Sequence, residues 1–257
     1  RQENPNFCHL FELKTQGMVQ SVSALFPQTD RDLYDATQHE TTAIQIFKAA
    51  LRPSNNGVIL ELIPHTTHKS ADPIQVYHPL QTAIAKLRAA TSLPELSYTI
   101  VQEVKAITGF DRVMVYRFEP DHSGIVIAET QEPHLESYLG MHFPAIDIPI
   151  PARKLFHRNW VRTIPDINAI PATLIPRHHP HTNAPLDLSD CTLRGVHPAH
   201  VEYLQNMAVE ATMVISLMND QQIWGLVACH HYSPKFLDYE TRKTCEFLGQ
   251  FASVGLV

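Results

Sequence analysis

Cysteine is scarce in this chain of 257 residues, since only four are present and no two form a Cys-x-x-Cys pair. That scarcity excludes a dense disulfide framework and favours a reducing compartment. Long apolar runs are missing as well, because none approaches the roughly 18 residues that a membrane-spanning helix needs. The first residues contain no apolar stretch that could serve as a signal peptide. We therefore expect a soluble, cytoplasmic protein.

Positive charge is also limited. Lysine and arginine number 20 against 26 aspartate and glutamate residues, which gives a net charge of −6, and no local basic cluster compensates. A nucleic-acid-binding surface is therefore not expected. The chain is otherwise an ordinary globular mixture, 44% hydrophobic and 18% charged, with 16 histidines. This composition excludes a largely disordered chain, and the histidines are its main indication of chemistry.

A polar segment ending at Pro73 is the weakest join in the chain and predicts two domains. Residues 1–72 contain short strand-like runs and predict a small α+β domain, and residues 73–257 predict a larger one. In the larger domain we predict helices near residues 80–87 and 96–107, strands 112–118 and 124–129, helices 152–160 and 199–209, strands 212–218 and 223–230, and a helix 239–254. This order indicates an α+β fold in which helices pack against an antiparallel sheet.

Capping and proline signals delimit these elements. A Ser92-Leu-Pro-Glu95 capping pattern begins the second helix, and Gly109 is expected to end it. Between residues 149 and 198, repeated prolines prevent a long helix or a central strand. An irregular stretch of this length inside a compact domain is usually functional.

Three clusters of histidines could indicate a metal site. They are His178, His179 and His181, then His197 and His200, and finally His230 and His231. Zinc needs about four ligands in tetrahedral geometry. Adjacent residues on a strand point in opposite directions, so His230 and His231 cannot both face one ion. The alternatives are a zinc site and ordinary surface or core histidines.

Three charged residues have unusually apolar neighbours. Arg162 and Arg194 each follow apolar residues, which indicates either structural ion pairs or an acidic ligand. Asp147 lies between two isoleucines in a segment bounded by prolines. It is either a local turn or cap residue or a partly buried hydrogen-bonding group.

Aromatic residues complete the candidate pocket. Tyr116 lies on a predicted strand, Tyr203 follows His200 by one helical turn, and Phe143 precedes Asp147, although each could equally belong to the core. With the two arginines they outline cationic anchors, a His/Asp pair and aromatic walls, which suit an extended conjugated ligand with two carboxylates. The common motifs for hydrolysis, phosphate binding and dinucleotide binding are not present.

Four segments of the sequence resemble one known family. They are residues 108–118 (TGFDRVMVYRF), 143–149 (FPAIDIP), 193–207 (LRGVHPAHVEYLQNM) and 224–231 (WGLVACHH). These motifs are similar to those of the chromophore-binding GAF domain of phytochromes, especially the bacteriophytochrome and cyanobacterial branch. The resemblance runs from about Tyr77 to Val257, and residues 10–64 resemble the preceding PAS domain more weakly. It implies a PAS-like domain followed by a GAF domain, with a lasso in which the proline-rich loop surrounds the N-terminal segment.

The resemblance also implies a bound linear tetrapyrrole, a bilin, which would be biliverdin or phycocyanobilin. Asp147 would contact the pyrrole N–H groups, His200 would lie beside the inner rings, and His230 would hydrogen-bond the D-ring carbonyl. Arg162 and Arg194 would bind the propionates. The implied D-ring pocket is lined by Tyr116, Tyr203, Phe143, Met114, Ile148 and Thr212.

Phytochromes often attach the chromophore through a cysteine, and this sequence departs from the usual positions. Ala199 stands where plant and many cyanobacterial members have that cysteine, so the corresponding thioether cannot form. Bacteriophytochromes use an upstream cysteine, for which Cys8 is the N-terminal candidate, although it lies closer to the first strand than in the family pattern. Cys191 is a second candidate, and non-covalent binding is the remaining alternative.

A light-switched sensor, not an enzyme, is the function that the resemblance implies. The switch would be isomerisation of the C/D-ring double bond. The PHY domain and histidine kinase output would be missing, so we expect a photosensory fragment with incomplete photoconversion. Helices near Leu80 and Phe247 could support a homodimer, although core packing explains them as well. The rival functions are a GAF domain that senses another small ligand, such as a cyclic nucleotide, and, more weakly, a zinc hydrolase.

Overall fold

The structure is a computed structural model, and it describes residues 11–15, 20–25, 44–54, 57–64, 73–175, 177–178 and 182–256. The chain divides into two compact units, Arg1–Ser70 and Ala71–Val257. Cys8 and most of the N-terminal part of the predicted lasso lie outside the described residues. No described helix is both long and apolar enough to cross a membrane.

The first unit contains a four-stranded antiparallel sheet whose strands follow one another in sequence order. These strands are β1 (Phe11–Thr15), β2 (Gln20–Leu25), β3 (Ile44–Ser54) and β4 (Gly57–Pro64). β3 and β4 form a hairpin in which Ser54 pairs with Gly57. The α+β prediction for residues 1–72 also covers residues outside the described ones.

The second unit contains helices and strands that alternate along the chain. They are α1 (Pro73–Ala89), α2 (Leu93–Thr108), β5 (Arg112–Phe118), β6 (Gly124–Gln131), β7 (His142–Phe143), α3 (Ile150–Arg158), β8 (Val161–Ile164), α4 (Pro198–Asn206), β9 (Ala211–Asn219), β10 (Gln222–His231) and α5 (Tyr239–Val254). The strands form one sheet in the order β7-β6-β5-β10-β9-β8, and every pairing is antiparallel. The predicted antiparallel sheet with flanking helices is confirmed.

Local signals bound α2 where the sequence predicts. The Ser92 hydroxyl oxygen accepts a hydrogen bond of 3.4 Å from the Glu95 backbone N–H. Gly109 ends the helix in the left-handed region with φ 63°, a conformation that favours glycine. The reciprocal half of a capping box is replaced by another contact, because the Glu95 carboxylate accepts from the Thr91 backbone N–H at 2.8 Å.

One face of the six-stranded sheet packs against α2 and α5, α1 packs on these two helices, and together they form the main core. Alternate residues of the central strands point into it, as period-two alternation requires. The fully buried sheet residues on this face include Val113, Val115, Met213, Ile215, Leu217, Val227 and Cys229. The opposite face is therefore left to contact the loops, α3 and α4, and this is where the candidate site lies.

Two strands of the sheet were not predicted. β8 has four residues inside the proline-rich stretch, and it forms the sheet edge beside β9, with Pro165 directly after it. Proline is tolerated at such an edge. β7 has only two residues, too few for a periodic signal. Helix α4 ends at Asn206, three residues earlier than predicted, and Ala208 just beyond it has a positive φ of 55°.

Candidate functional site

The sheet face opposite the main core gathers predicted site residues from four strands. Two rows of paired residues cross it, namely Arg162, Val214, Ala228 and Met114, and then Ile164, Thr212, His230 and Arg112. Directly paired residues of antiparallel strands project to the same side. The register therefore places four predicted residues on one face: Arg162, Thr212, His230 and Met114.

Tyr116, two residues beyond Met114 on β5, is the centre of an aromatic cluster on this face. Its ring centroid lies 5.3 Å from that of Phe118 and 6.0 Å from that of Phe143. The Phe143 ring in turn lies 6.3 Å from the ring of Tyr138. Met114 and Ile148 pack in the same cluster. The predicted aromatic wall is thus assembled, and Tyr138 extends it.

Gly124 at the start of β6 allows the ring of Tyr116 to occupy this position. A Cβ atom on Gly124 would lie 1.9 Å from the Tyr116 Cζ atom, far inside van der Waals contact. The Tyr116 ring therefore covers the backbone at a position that no larger residue could share. A glycine here is a requirement of packing, and its φ is not positive.

Three buried polar atoms on this face have no hydrogen-bond partner among the described residues, namely the Tyr116 Oη, the His230 Nδ1 and the Arg112 Nε atoms. The first two belong to predicted site residues, and both residues are only 6% exposed. Burial raises the pKa of Tyr116 to about 12. Burial, followed by the positive charge of Arg112, lowers the pKa of His230 to about 3, so its imidazole is neutral. Because buried polar groups are nearly always paired, these atoms indicate a polar ligand or bound water.

Helix α4 adds His200 and Tyr203 to the site. They lie one turn apart, and their rings stack with centroids 6.0 Å apart and planes 11° apart. Burial, then the charge of Arg162, lowers the pKa of His200. Burial, then the charges of Asp147 and Tyr116, raises the pKa of Tyr203. The charges that shift these two pKa values belong to predicted residues of the sheet and the loop.

Asp147 lies in a turn directly before α3. Its backbone N–H donates to the Pro144 carbonyl at 3.1 Å, and burial raises the pKa of its half-buried carboxyl. The Arg153 guanidinium fixes the next residue, because its Nε–H donates to the Ile148 carbonyl at 2.8 Å. Arg153 also stacks over the Phe118 ring at 4.4 Å. The segment that carries Asp147 is therefore tied to both the aromatic cluster and α3.

The two predicted arginines hold the irregular segment that precedes α4. The Arg162 guanidinium donates to the backbone carbonyls of Thr192 and Arg194, both at 2.9 Å. Arg194 donates to the Cys191 carbonyl at 2.6 Å. Both arginines are half-buried and lie at this end of the site.

Two further predicted residues have mainly structural contacts. The Thr212 hydroxyl donates to the Cys229 carbonyl at 2.8 Å, so its proton is already engaged within the sheet. Cys191 is 2% exposed, which restricts access of any ligand to its thiol. Burial also raises the pKa of Cys229 and of Cys245. Ala199 lies in the first turn of α4.

A metal site does not form in the part of the chain that the structure describes, since no three histidine, cysteine or acidic side chains there could hold one ion. His230 is buried, whereas the adjacent His231 is half-buried and its Nδ1 contacts the Ser233 carbonyl. His181 falls outside the described residues. The zinc hydrolase alternative therefore gains no support here.

Sequence reasoning did not identify several charged and aromatic residues that line or support this face. They are Arg112, Glu129, Tyr138 and Arg153. Arg112 could have been found from the strand alternation, because it lies two residues before Met114. The other three depend on long-range contacts that local patterns do not reveal.

A six-stranded antiparallel sheet, with helices on one face and a cluster of polar and aromatic side chains on the other, defines a domain of the α+β class. A family model described as "GAF domain" matches residues 92–254. The chain belongs to the GAF domain family.

Its relatives come from cyanobacteria, other bacteria and plants. The chain is 49% identical over 208 residues to "Cyanobacterial phytochrome B" of Nostoc, and the match covers 81% of this chain and 28% of the relative. It is 45% identical over 166 residues to a "Bacteriophytochrome" of Xanthomonas campestris, with 63% and 26% covered. The chain thus spans about a quarter of the length of these relatives.

A solved structure gives the same result at the level of the fold. It is the chromophore-binding domain of phytochrome P1 from Stigmatella aurantiaca, with a TM-score of 0.82 and 39% sequence identity. The match covers 92% of this chain and 73% of that one. The resemblance read from the sequence motifs is therefore confirmed by both kinds of comparison.

Proposed function

We propose that this chain is a light-sensing module that binds a linear tetrapyrrole, biliverdin or phycocyanobilin. The observation that carries the proposal is the pair of buried, unpartnered polar atoms, Tyr116 Oη and His230 Nδ1, on an aromatic-lined face. Its similarity to phytochrome chromophore-binding domains supports the same conclusion. The module acts as a sensor and not as an enzyme.

The residues of this face fit the chemical parts of a bilin. Flat conjugated rings suit a cleft with Tyr116, Phe143 and Tyr203, because aromatic walls bury large apolar area. The neutral His230 can donate a hydrogen bond to a ring carbonyl from one nitrogen. Arg162 and Arg194 supply positive charge for two propionates. In this proposal Met114, Ile148 and Thr212 complete the ring pocket.

In this proposal Asp147 and His200 interact with the pyrrole N–H groups of the bound bilin. The Asp147 backbone carbonyl accepts from pyrrole N–H groups. Its carboxyl, whose own pKa is raised by burial, contributes charge that raises the pKa of Tyr203. His200, with its pKa lowered by burial, is a neutral neighbour that accepts or donates without adding charge. A bound bilin would supply absorption of red light and isomerisation about its C/D-ring double bond.

The test of binding is colour. The full chain is expressed with biliverdin or with phycocyanobilin, purified, and examined for a strong red absorbance band. The expected result is a coloured protein with a bilin-to-protein ratio near one. A colourless protein contradicts the proposal, and binding of a cyclic nucleotide by calorimetry would then support the alternative GAF function.

Attachment is tested by denaturation in acidic urea. Cys191 is buried, so the proposal retains Cys8 or non-covalent binding as the two modes. Pigment that separates from the unfolded chain indicates non-covalent binding, and pigment that remains indicates a thioether. If the adduct survives in the Cys8→Ala variant, Cys8 is not the attachment site.

Replacement of His200 tests the proton network. We expect His200→Gln to lower the apparent pKa of the bound cationic chromophore or to change its spectrum, because the neighbouring imidazole is lost. The measurement is an absorbance titration between pH 6 and pH 11. An unchanged titration would remove His200 from the network.

Further domains complete the sensor in our proposal. A PHY domain and a histidine kinase output would follow in a longer cytoplasmic chain, and without the PHY domain we expect incomplete conversion to the far-red-absorbing state. Absorbance spectra after red light test this, and a stable, fully far-red-absorbing product contradicts it. Leu80 packs against the core, whereas Phe247 on α5 is 45% exposed, so a homodimer would use α5. Sedimentation of the full chain tests the dimer.

A further inference from the structure

Arg112 is a charged residue at the edge of the proposed pocket that the binding roles above do not use. It is 1% exposed and pairs directly with His230 in the sheet, so both side chains lie on the same face. Burial of a charge is costly unless the charge is paired. Its partner is Glu129 on β6, which forms an ion pair with the Arg112 guanidinium and whose side chain is 2% exposed.

This ion pair also holds the segment between β6 and β7. The Arg112 Nη2 atom donates to the Glu136 carbonyl at 2.6 Å. The second carboxylate oxygen of Glu129 accepts from the backbone N–H groups of Tyr138 and Leu139 at 2.8 Å and 3.1 Å. It accepts from the Ser137 hydroxyl at 2.6 Å as well. One buried pair therefore fixes four consecutive residues.

Tyr138 is the residue of this segment that packs in the aromatic cluster. The Arg112 guanidinium carbon lies 3.7 Å from the centre of the Tyr138 ring, a cation–π contact. The centroid of the Tyr138 ring also lies 6.3 Å from that of Phe143. The Phe143 ring in turn contacts Tyr116. Tyr138 is also close enough to Tyr203 for its charge to contribute to the raised pKa of that residue. Its ring therefore extends the aromatic wall from a loop.

We propose that Arg112 and Glu129 form a positioning clamp that fixes Tyr138 as a ligand-contacting wall of the pocket. The inference rests on the proposed bilin-binding function for the contact, whereas the clamp itself is a property of the ligand-free chain. A buried ion pair is a weak source of stability compared with apolar side chains of similar size. The clamp instead holds Tyr138 in the loop as firmly as a strand would hold it. A pocket for a flat ligand requires walls that are fixed before the ligand binds.

Hydrogen exchange of the ligand-free protein tests the clamp. Exchange is measured at the backbone amides of Tyr138 and Leu139 in the wild type and in Glu129→Gln. Because the variant replaces a charged acceptor with a neutral one, we expect exchange at these two amides to rise by about tenfold. Glu132→Gln is the matched control, since the Glu132 carboxylate pairs with Lys105 and accepts none of the described hydrogen bonds from residues 137–139.

A second variant separates the clamp from folding. Arg112→Met with Glu129→Leu replaces the pair with apolar side chains, which preserves folding in comparable cases. We expect this double variant to remain folded while exchange at Tyr138 and Leu139 rises as in Glu129→Gln. Unchanged exchange at both amides in the two variants overturns the clamp.

Spectroscopy of the biliverdin-loaded protein tests the wall. We expect Tyr138→Leu to broaden the red absorbance band and to lower the fluorescence yield of the bound pigment by about twofold or more, because the flat surface is lost. Tyr138→Phe keeps the ring and restores most of the wild-type signal. Tyr98→Leu, at a residue 58% exposed on α2, is the control.

The outcomes distinguish the inference from the function on which it rests. A coloured wild type with an unchanged spectrum in Tyr138→Leu overturns the wall and leaves bilin binding intact. A colourless wild type overturns the proposed function and, with it, the contact between Tyr138 and a bilin. In that case the exchange experiment still decides whether the clamp exists.

Discussion

The buried His230 predicts that this protein loses stability in mildly acidic solution for an identifiable reason. Burial and the nearby Arg112 lower the pKa of His230 from 6.5 to about 3. Between these pH values the unfolded chain takes up a proton on this histidine and the native protein does not. The stabilising effect of the neutral imidazole is therefore complete above pH 6.5 and is lost as the pH falls towards about 3.

The magnitude follows from linkage. Each pH unit in this window changes the free energy of unfolding by about 1.4 kcal/mol per histidine. At pH 5, which is about 1.5 units below the pKa in the unfolded chain, the ligand-free protein should lose about 2 kcal/mol relative to pH 8 because of His230. This value is insensitive to the native pKa as long as that pKa stays below about 4.

Urea unfolding at pH 8 and pH 5 measures the effect, with His230→Gln as the test variant. Both tryptophans of the chain, Trp160 and Trp224, belong to the second unit, so their fluorescence reports on the unit that contains His230. The variant should lose about 2 kcal/mol less than the wild type between the two pH values. Titrating groups that do not interact with His230 contribute equally to both proteins and cancel, whereas the charge of His200 helps to lower the pKa of His230 and is part of the measured effect. His142→Gln, at an exposed position on β7, is the control.

Equal losses in the wild type and in His230→Gln, within about 0.5 kcal/mol, would refute the reasoning. That result would mean that His230 takes up its proton in the native state near its ordinary pKa. His230 would then not be the neutral hydrogen-bond donor that the proposed bilin site needs at this position. A difference in stability between the wild type and His230→Gln that is the same at both pH values would not contradict the prediction, because His230 is expected to change only the pH dependence of stability.

Three further substitutions test packing and capping by the same unfolding measurement. Gly124→Ala should cost about 2 kcal/mol and shift the red band of the loaded protein, because its Cβ would lie 1.9 Å from the Tyr116 ring. Gly195→Ala is its control, since the nearest atom there is 3.7 Å away, and equal effects of the two would contradict the packing argument. Asp238→Ala should cost about 1 kcal/mol, because its carboxylate caps α5 with a hydrogen bond of 2.7 Å. Ser92→Ala should cost less, because its capping bond is 3.4 Å, and the reverse order would contradict this comparison.

The helices and central strands were predictable because their signals are local. Helix α5 spans Tyr239–Val254 as its apolar spacing predicts, and Asp238 caps it. The paired strands β9 and β10 follow from two β-rich runs around a short turn. The edge strand β8 was missed because it has no such local signal. Prolines surround it, and only its pairing with β9 makes it a strand.

The charged supports of the pocket were missed because sequence reasoning places such residues at the surface. Arginine and glutamate are almost never fully buried unless they are paired. The partner of Arg112 lies 17 positions away on the next strand, and its cation–π contact lies in a loop beyond that. The strand alternation alone shows that Arg112 shares a side with Met114, but it does not show that this side is covered.

The predicted binding residues were named from a resemblance to phytochromes, and the sheet register supplies the physical reason that they meet. Arg162 pairs with Val214, which pairs with Ala228, and that residue pairs with Met114. A slip of one residue in β8 would move Arg162 to the other face, because side chains alternate along a strand. The position of this charge is therefore set by the long-range pairing of an edge strand that the sequence did not reveal. The same dependence explains why the motifs that carry the resemblance coincide with β5, β10 and the segments beside α3 and α4, where register and loop contacts bring their side chains to one face.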